Sequence, residues 1–284
     1  MKLHEQNSWT IHGTRLDLSA PVVMGVLNVT PDSFSDGGEW TTIDRAEARV
    51  HEMARQGARI IDIGGESTRP GSDPVSEQLE MERVMPVLER VVSLHPDLLF
   101  SIDTTKFRVA EEALERGVHF VNDVSGLRKE PALAGLAARY GAGYICMHSQ
   151  GEPKTMQAEP HYKDVVKDLL DFFREKTEEL TLAGVSPVIL DPGFGFGKQL
   201  KHNLELIREL SAFASLGFPL LVGISRKSMI GQILDGRSVE GRLAGTVAVH
   251  YHALMQGASI LRVHDVLEAV DSIRVFQAVT GPDV

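Results

Sequence analysis

Gly117-Val118-His119-Phe120-Val121-Asn122-Asp123 opens on a glycine, runs through apolar residues too few for a helix, and stops on two polar side chains. A glycine just past a helical turn supplies the left-handed residue that ends a helix at low steric cost. A short apolar run after it reads as a buried strand. The phrase recurs at Gln56-Gly57 to Asp62, Gly141 to His148, Gly184 to Asp191, Gly217 to Gly223 and Gly257 to Arg262, six copies in all. Two further apolar runs, Val22 to Leu27 and Leu98 to Ile102, bring the strand count to about eight. Helix, turn and parallel strand in that number predict an α/β protein, a closed (β/α)8 TIM barrel.

The carboxyl ends of parallel barrel strands converge on one mouth, where such barrels do chemistry. The residues this places there are Asn28, Glu66 with Thr68 and Arg69, Asp103, Asn122 with Asp123, His148, Asp191, Arg226 with Lys227, and Arg262 with His264. A purely structural barrel has little reason to gather so many charged and amide groups on one rim.

Composition narrows the class. The 284 residues carry no Pro/Ser-rich linker or charge block, so residues 1–284 read as a single domain. A net charge of −10 argues against nucleic acid and against anionic membrane as partners. Any bound anion must be held by local positive charge. The single cysteine, Cys146, lies in an apolar run and reads as a buried structural thiol. The N-terminus has no apolar signal core and no run of about 18 apolar residues occurs, which predicts a cytoplasmic protein.

Between strands, Thr41-Thr42-Ile43-Asp44 has a capping-box shape ahead of Ile43, Ala46, Val50 and Met53 on one face. Glu130-Pro131 opens another helix, and the longest is expected over about residues 162–183. Connections Thr30 to Thr41, Ser67 to Ser76 and Ser149 to Pro160 are long, glycine- and proline-containing and on the rim side. They read as loops able to close over a substrate.

Asp191-Pro192-Gly193-Phe194-Gly195-Phe196-Gly197-Lys198 fails the nucleotide-triphosphate loop pattern. Pro192 stands where a glycine belongs, and Gln199 replaces the magnesium-binding Ser or Thr. Alternating Gly and Phe suggest instead an apolar wall, with Phe196 able to stack on an aromatic ligand. Asp103, Asn122 and Asp191 end three strands; with Lys227 they form an acceptor-rich floor suited to a flat heterocycle bearing N–H donors, such as a pterin or purine. A glycosidase acid and base pair leaves the amide and the cations without a role. Arg262 and His264, two apart, share a face, and with Arg69 concentrate the positive charge a phosphate or pyrophosphate needs. Asn28 offers a neutral oxygen to a magnesium ion that shares pyrophosphate oxygens. His148 is more often structural than a ligand.

Residues 24–38, from Met24-Gly25-Val26-Leu27-Asn28 to Asp36-Gly37-Gly38, together with Asp62-Ile63-Gly64-Gly65-Glu66-Ser67-Thr68-Arg69-Pro70-Gly71, strongly resemble the dihydropteroate synthase family. Further matches run in order through Ser101 to Thr104, Asn122 to Gly126, Met147-His148, Asp191 to Lys198, Ser225 to Ser228 and Arg262 to Asp265. The resemblance implies condensation of 7,8-dihydropterin-6-ylmethyl pyrophosphate with 4-aminobenzoate, in folate biosynthesis, with Mg²⁺ and with sulfonamides as inhibitors. It implies that Asp103, Asn122, Asp191 and Lys227 hold the pterin, Asn28 the metal and pyrophosphate, and Arg262 and His264 the pyrophosphate. Phe34, Asp36, Thr68, Arg69, Pro70, Phe196, Lys227 and Ser228 are implied for 4-aminobenzoate. Of these, Asp103, Lys227, Arg262 and His264 are the expected catalytic groups. The resemblance also suggests a homodimer through later helices, Gly241 to Gln256 among them. Rival readings are a methyltransferase on a reduced folate, a Schiff-base aldolase using Lys227, and a non-catalytic pterin-binding protein.

Overall fold

A computed structural model describes residues 7–30, 42–67, 71–151, 156 and 160–281. All six glycines of the repeated phrase adopt positive φ, between 63° and 104°, as helix-ending residues do. The barrel elements are β3 (Val22–Asn28), α1 (Thr42–Gln56), β4 (Ile60–Gly64), α2 (Glu77–Leu94), β5 (Leu99–Asp103), α3 (Phe107–Glu115), β6 (Phe120–Asp123), α4 (Ala132–Tyr140) and β7 (Gly143–Met147). They continue as α5 (Val165–Leu182), β8 (Val188–Asp191), α6 (Leu200–Arg208), α7 (Leu210–Ala214), β9 (Leu221–Val222), α8 (Ser228–Ile233), α9 (Leu243–Met255), β10 (Ile260–Val263) and α10 (Val266–Thr280). The eight parallel strands run in the order β8-β7-β6-β5-β4-β3-β10-β9. A bridge between Leu190 and Leu220 closes the ring. The structure is therefore the expected (β/α)8 barrel.

Helices pack outside, α1 through Ala46, Val50 and Met53 as its spacing predicts. Pro131 caps α4, and Gly141 ends it in the left-handed conformation. The expected long helix is α5, equalled in length by α2, at 18 residues each. Thr41, in the anticipated capping box, lies outside the described residues. Cys146 is buried and free. Among the described residues no helix is long and apolar enough to cross a membrane.

Two short antiparallel strands, β1 (Ser8–Ile11) and β2 (Thr14–Asp17), precede the barrel and form no part of the sequence-based expectation. They pair with Ile11 opposite Thr14 across His12-Gly13, both at positive φ, the geometry of a tight two-residue hairpin. Ile11, Leu16 and Leu18 join one inward residue from every barrel strand in a single buried cluster: Met24, Ile60, Leu99, Phe120, Ile145, Ile189, Leu221 and Ile260. The hairpin therefore plugs the amino-terminal end of the barrel, opposite the mouth. Leu16→Ala is expected to cost about 2–5 kcal/mol in urea unfolding and to leave substrate KM values unchanged. An unaltered unfolding midpoint would show that the plug lies outside the cooperative unit.

Candidate active site

Side chains alternate across a strand, so the inward apolar layer fixes which residues face the lumen above it. Two residues beyond it come Asp62, Ser101, Asn122, Met147, Asp191, Gly223 and Arg262; four beyond come Asn28, Gly64 and Asp103. Five of the eight strands thus change from apolar to polar within one step of the pleat, while β3, β7 and β9 carry Val26, Met147 and Gly223 there. Asp62, Asp103, Asn122 and Asp191 are all buried. Side chains from four different strands connect there. Arg262 donates from Nε to Asp62 Oδ2 (2.7 Å) and from Nη2 to Asp103 Oδ2 (2.8 Å). Asn122 Nδ2 donates to the same Asp62 oxygen (2.9 Å). Asp191 Oδ1 accepts from Gly193 N (2.8 Å), and Gly223 leaves open the space beside Arg262 and Asp191.

The charges on this floor do not balance, because two carboxylates share one guanidinium. Burial, and then Asp62 as a neighbouring anion, push the Asp103 carboxyl up to about 8 against the pull of Arg262. For Arg262 burial opposes charge, but Asp62 and Asp103 outweigh it and hold the guanidinium protonated. Burial raises Asp191 as well, opposed first by Lys227. Burial lowers Lys227 to about 8, with Asp191 opposing. Among the described residues Asp62 Oδ1 and Asp103 Oδ1 are buried with no hydrogen-bond partner. An acceptor left so in a closed core costs about 1–3 kcal/mol, so both are poised for donors from a ligand.

Lys227 donates to Phe194 O and sits 4.4 Å above the Phe196 ring, joining the floor to the glycine-rich loop after β8. His264 lies at the exit of β10; its N donates to Ser225 Oγ (3.2 Å) and its Nδ1 is 3.2 Å from the same oxygen. Asn28 ends β3, half-buried, and Ser228 is exposed as the first residue of α8, which has six residues. Phe34, Asp36, Thr68, Arg69 and Pro70 lie outside the described residues.

One rim expectation, Asp123, is corrected, and two further rim residues are held in ion pairs. Asp123 has the opposite parity to Asn122 and faces outward, accepting from Ser125 N (2.7 Å), Leu127 N (2.6 Å) and Tyr144 Oη (2.7 Å). Arg226 is tied bidentately to Asp265 (2.7 and 2.6 Å). Glu66 accepts from Lys106 Nζ, which also holds Glu80, so it serves the rim's structure. Arg262, expected among the anion-binding cations, also reaches into the carboxylate floor through Nε and Nη2. Asp62 and Lys198 belong to the site region without having been singled out. Asp62 was legible as the second residue after Ile60 in an inward series. Lys198 offered no signal beyond its place at the end of the glycine loop.

A sequence model of the pterin binding enzyme family matches residues 24–264. A dihydropteroate synthase from Haemophilus influenzae is 46% identical over 280 residues, 98% of each chain. The crystal structure of the Yersinia pestis dihydropteroate synthase with a sulfonamide drug complex superposes with a TM-score of 0.90 at 46% identity, covering 97% of this chain and 100% of that one. The Xanthomonas albilineans dihydropteroate synthase with 4-aminobenzoic acid gives a TM-score of 0.91 at 41% identity, covering 97% and 99%.

Proposed function

The chain belongs to the pterin binding enzyme family and acts as a dihydropteroate synthase, and from that premise we propose how its mouth divides the work. The reaction joins 7,8-dihydropterin-6-ylmethyl pyrophosphate to 4-aminobenzoate, giving 7,8-dihydropteroate and pyrophosphate in folate biosynthesis. What carries the assignment of roles is a pair of buried carboxylate oxygens, on Asp62 and Asp103, that have no hydrogen-bond partner among the described residues. They offer acceptors to the N–H edge of a pterin, with Asn122, Asp191 and Lys227 around the same space. Arg262 engages Asp62 and Asp103 through Nε and Nη2, which leaves Nη1 to meet the pyrophosphate beside His264.

As the methylene–oxygen bond breaks, its electron pair leaves with pyrophosphate and positive charge develops on the pterin methylene. Fixed carboxylates beneath the ring favour that charge, while Arg262 and His264 favour the departing anion. The amine of 4-aminobenzoate is neutral near pH 7 and forms the new C–N bond with its own lone pair; its proton is then lost to solvent or pyrophosphate. No activated protein nucleophile is required. Phe196, beneath Lys227, supplies an aromatic face for the benzoate ring, with Ser228 at the rim and Phe34, Asp36, Thr68, Arg69 and Pro70 as the remaining proposed contacts.

For Mg²⁺ the donor set is sparse but fitting. Among the described residues no three His, Cys, Asp or Glu side chains form a metal cage. Magnesium commonly uses one or two protein oxygens and substrate phosphates, and Asn28 at the end of β3 provides one neutral oxygen. When bound, the ion neutralises charge on the leaving pyrophosphate. A cytoplasmic homodimer completes the proposal. Exposed Met255 on α9 and Leu267, Val275 and Val279 on α10 offer an apolar face for pairing, to be checked by sedimentation.

Pyrophosphate release tests the reading. Release is expected to require 4-aminobenzoate, to fall on chelation with EDTA and to return with Mg²⁺. Sulfonamides are expected to compete with 4-aminobenzoate; inhibition unrelieved by raising its concentration would reject the shared site.

A further inference from the structure

Lys198 is only 2% exposed, an unusual place for a lysine, and the catalytic roles above make no use of it. Its Nζ donates to His148 O (3.1 Å), Gly193 O (3.0 Å) and Phe196 O (3.1 Å), and lies 3.1 Å from His148 Nδ1. One buried Nζ thus gathers three carbonyls, two from the glycine-rich loop after β8 and one from the exit of β7. The loop is pressed hard against that exit. A Cβ added at Gly193 would lie 2.0 Å from His148 O, and one at Gly197 would lie 2.2 Å from Gln150 O, both at positive φ. Tyr162 Oη holds Gly197 O (2.8 Å), and Asn203 Oδ1 accepts from Gly195 N (2.8 Å). With the Gly193 and Phe196 carbonyls turned to Lys198, the Phe194 carbonyl between them meets Lys227, and the Phe196 ring lies beneath it.

We infer that Lys198 is a positioning residue for this reaction: its amine gathers the Gly193, Phe196 and His148 carbonyls so that Phe194 O and the Phe196 ring are presented to Lys227. This rests on the reading that Phe196 and Lys227 receive 4-aminobenzoate. Packing alone does not explain a lysine here. Burial disfavours its charged form, and a methionine of similar length would fill the space without that cost. What methionine lacks is a set of donors able to fix the direction of several carbonyls at once.

The test compares Lys198→Met, Phe196→Leu and the double variant by steady-state kinetics, and follows amide hydrogen exchange in wild type and Lys198→Met. Lys198→Met is expected to raise KM for 4-aminobenzoate about tenfold with a much smaller change in kcat. The double variant is expected to fall well short of the product of the two single effects, because Lys198 acts in part through Phe196. Exchange is expected to quicken in peptides covering 193–197 and to stay unchanged in the hairpin plug. Multiplying KM effects, or exchange unaltered in 193–197, would overturn the inference. If Lys198→Met does not fold, Lys198→Gln, which keeps a donor for part of the set, is read by the same criteria. If wild type shows no 4-aminobenzoate-dependent turnover, the functional reading falls, and exchange still decides whether Lys198 orders the loop.

Discussion

Arg262→Ala is expected to unfold about 3–5 kcal/mol more easily than the wild type, a deficit that widens as pH rises. The substitution removes the single cation shared by Asp62 and Asp103, leaving two buried carboxylates facing each other. In the intact protein Asp103 already titrates near 8, well above an ordinary carboxylate. Between its unfolded and folded pKa the native state holds a proton that the unfolded chain has released. Rising pH therefore favours unfolding through that window, and stability is fully present only below the unfolded value. Removing Arg262 raises the folded pKa further and extends the window upward. Urea melts at about pH 5.5 and about pH 8.5 check this, and the deficit is expected to be larger at the higher pH. Equal deficits at both would mean that lost packing of the Arg262 stem, and not the unpaired carboxylates, sets the cost. Activity is expected to vanish at either pH, since the same guanidinium faces both the floor and the leaving anion.

Much of this architecture is legible in the chain. The six glycine-headed phrases announce their strands because left-handed helix ends and short apolar runs are local signals. The floor is legible too, since Asp103, Asn122 and Asp191 close three of those runs. What escapes is parity and reach. Asn122 and Asp123 look alike at a strand end, yet the pleat sends one to the lumen and the other to a turn and to Tyr144. Only the inward apolar layer settles which is which, and that layer is known once register is known. Arg262 reads from the sequence as an anion ligand, but its place in the floor does not. Its partners, Asp62 and Asp103, stand 200 and 159 positions away, and no local pattern reports them. The hairpin plug escapes for the opposite reason: β1 and β2 have four residues each, and their weak alternation matters only because it covers the barrel's open end.

The affinity of the pterin is expected to pass through a maximum near pH 8, with an acid limb set by Asp103 and an alkaline limb set by Lys227. Burial drives both groups toward about 8, one from below and one from above. Asp103 accepts a pterin N–H best as the carboxylate, so binding strengthens as pH rises toward its pKa. Lys227 offers positive charge, in the field of Asp191, only as the ammonium, so binding weakens as pH climbs beyond its own pKa. Each limb can approach a tenfold change per pH unit at most, because each involves one proton. Asp103→Asn is expected to abolish the acid limb and to lower affinity at the maximum by about 10- to 150-fold, the worth of a charge-assisted hydrogen bond. Lys227→Met is expected to abolish the alkaline limb and leave the acid one. Calorimetric titration of a dihydropterin across this range separates the cases, and wild type below pH 8 is expected to release a proton on binding as Asp103 ionises. Survival of the acid limb in Asp103→Asn would assign that limb to another group, and would remove the argument that the unbalanced pair on the floor controls recognition.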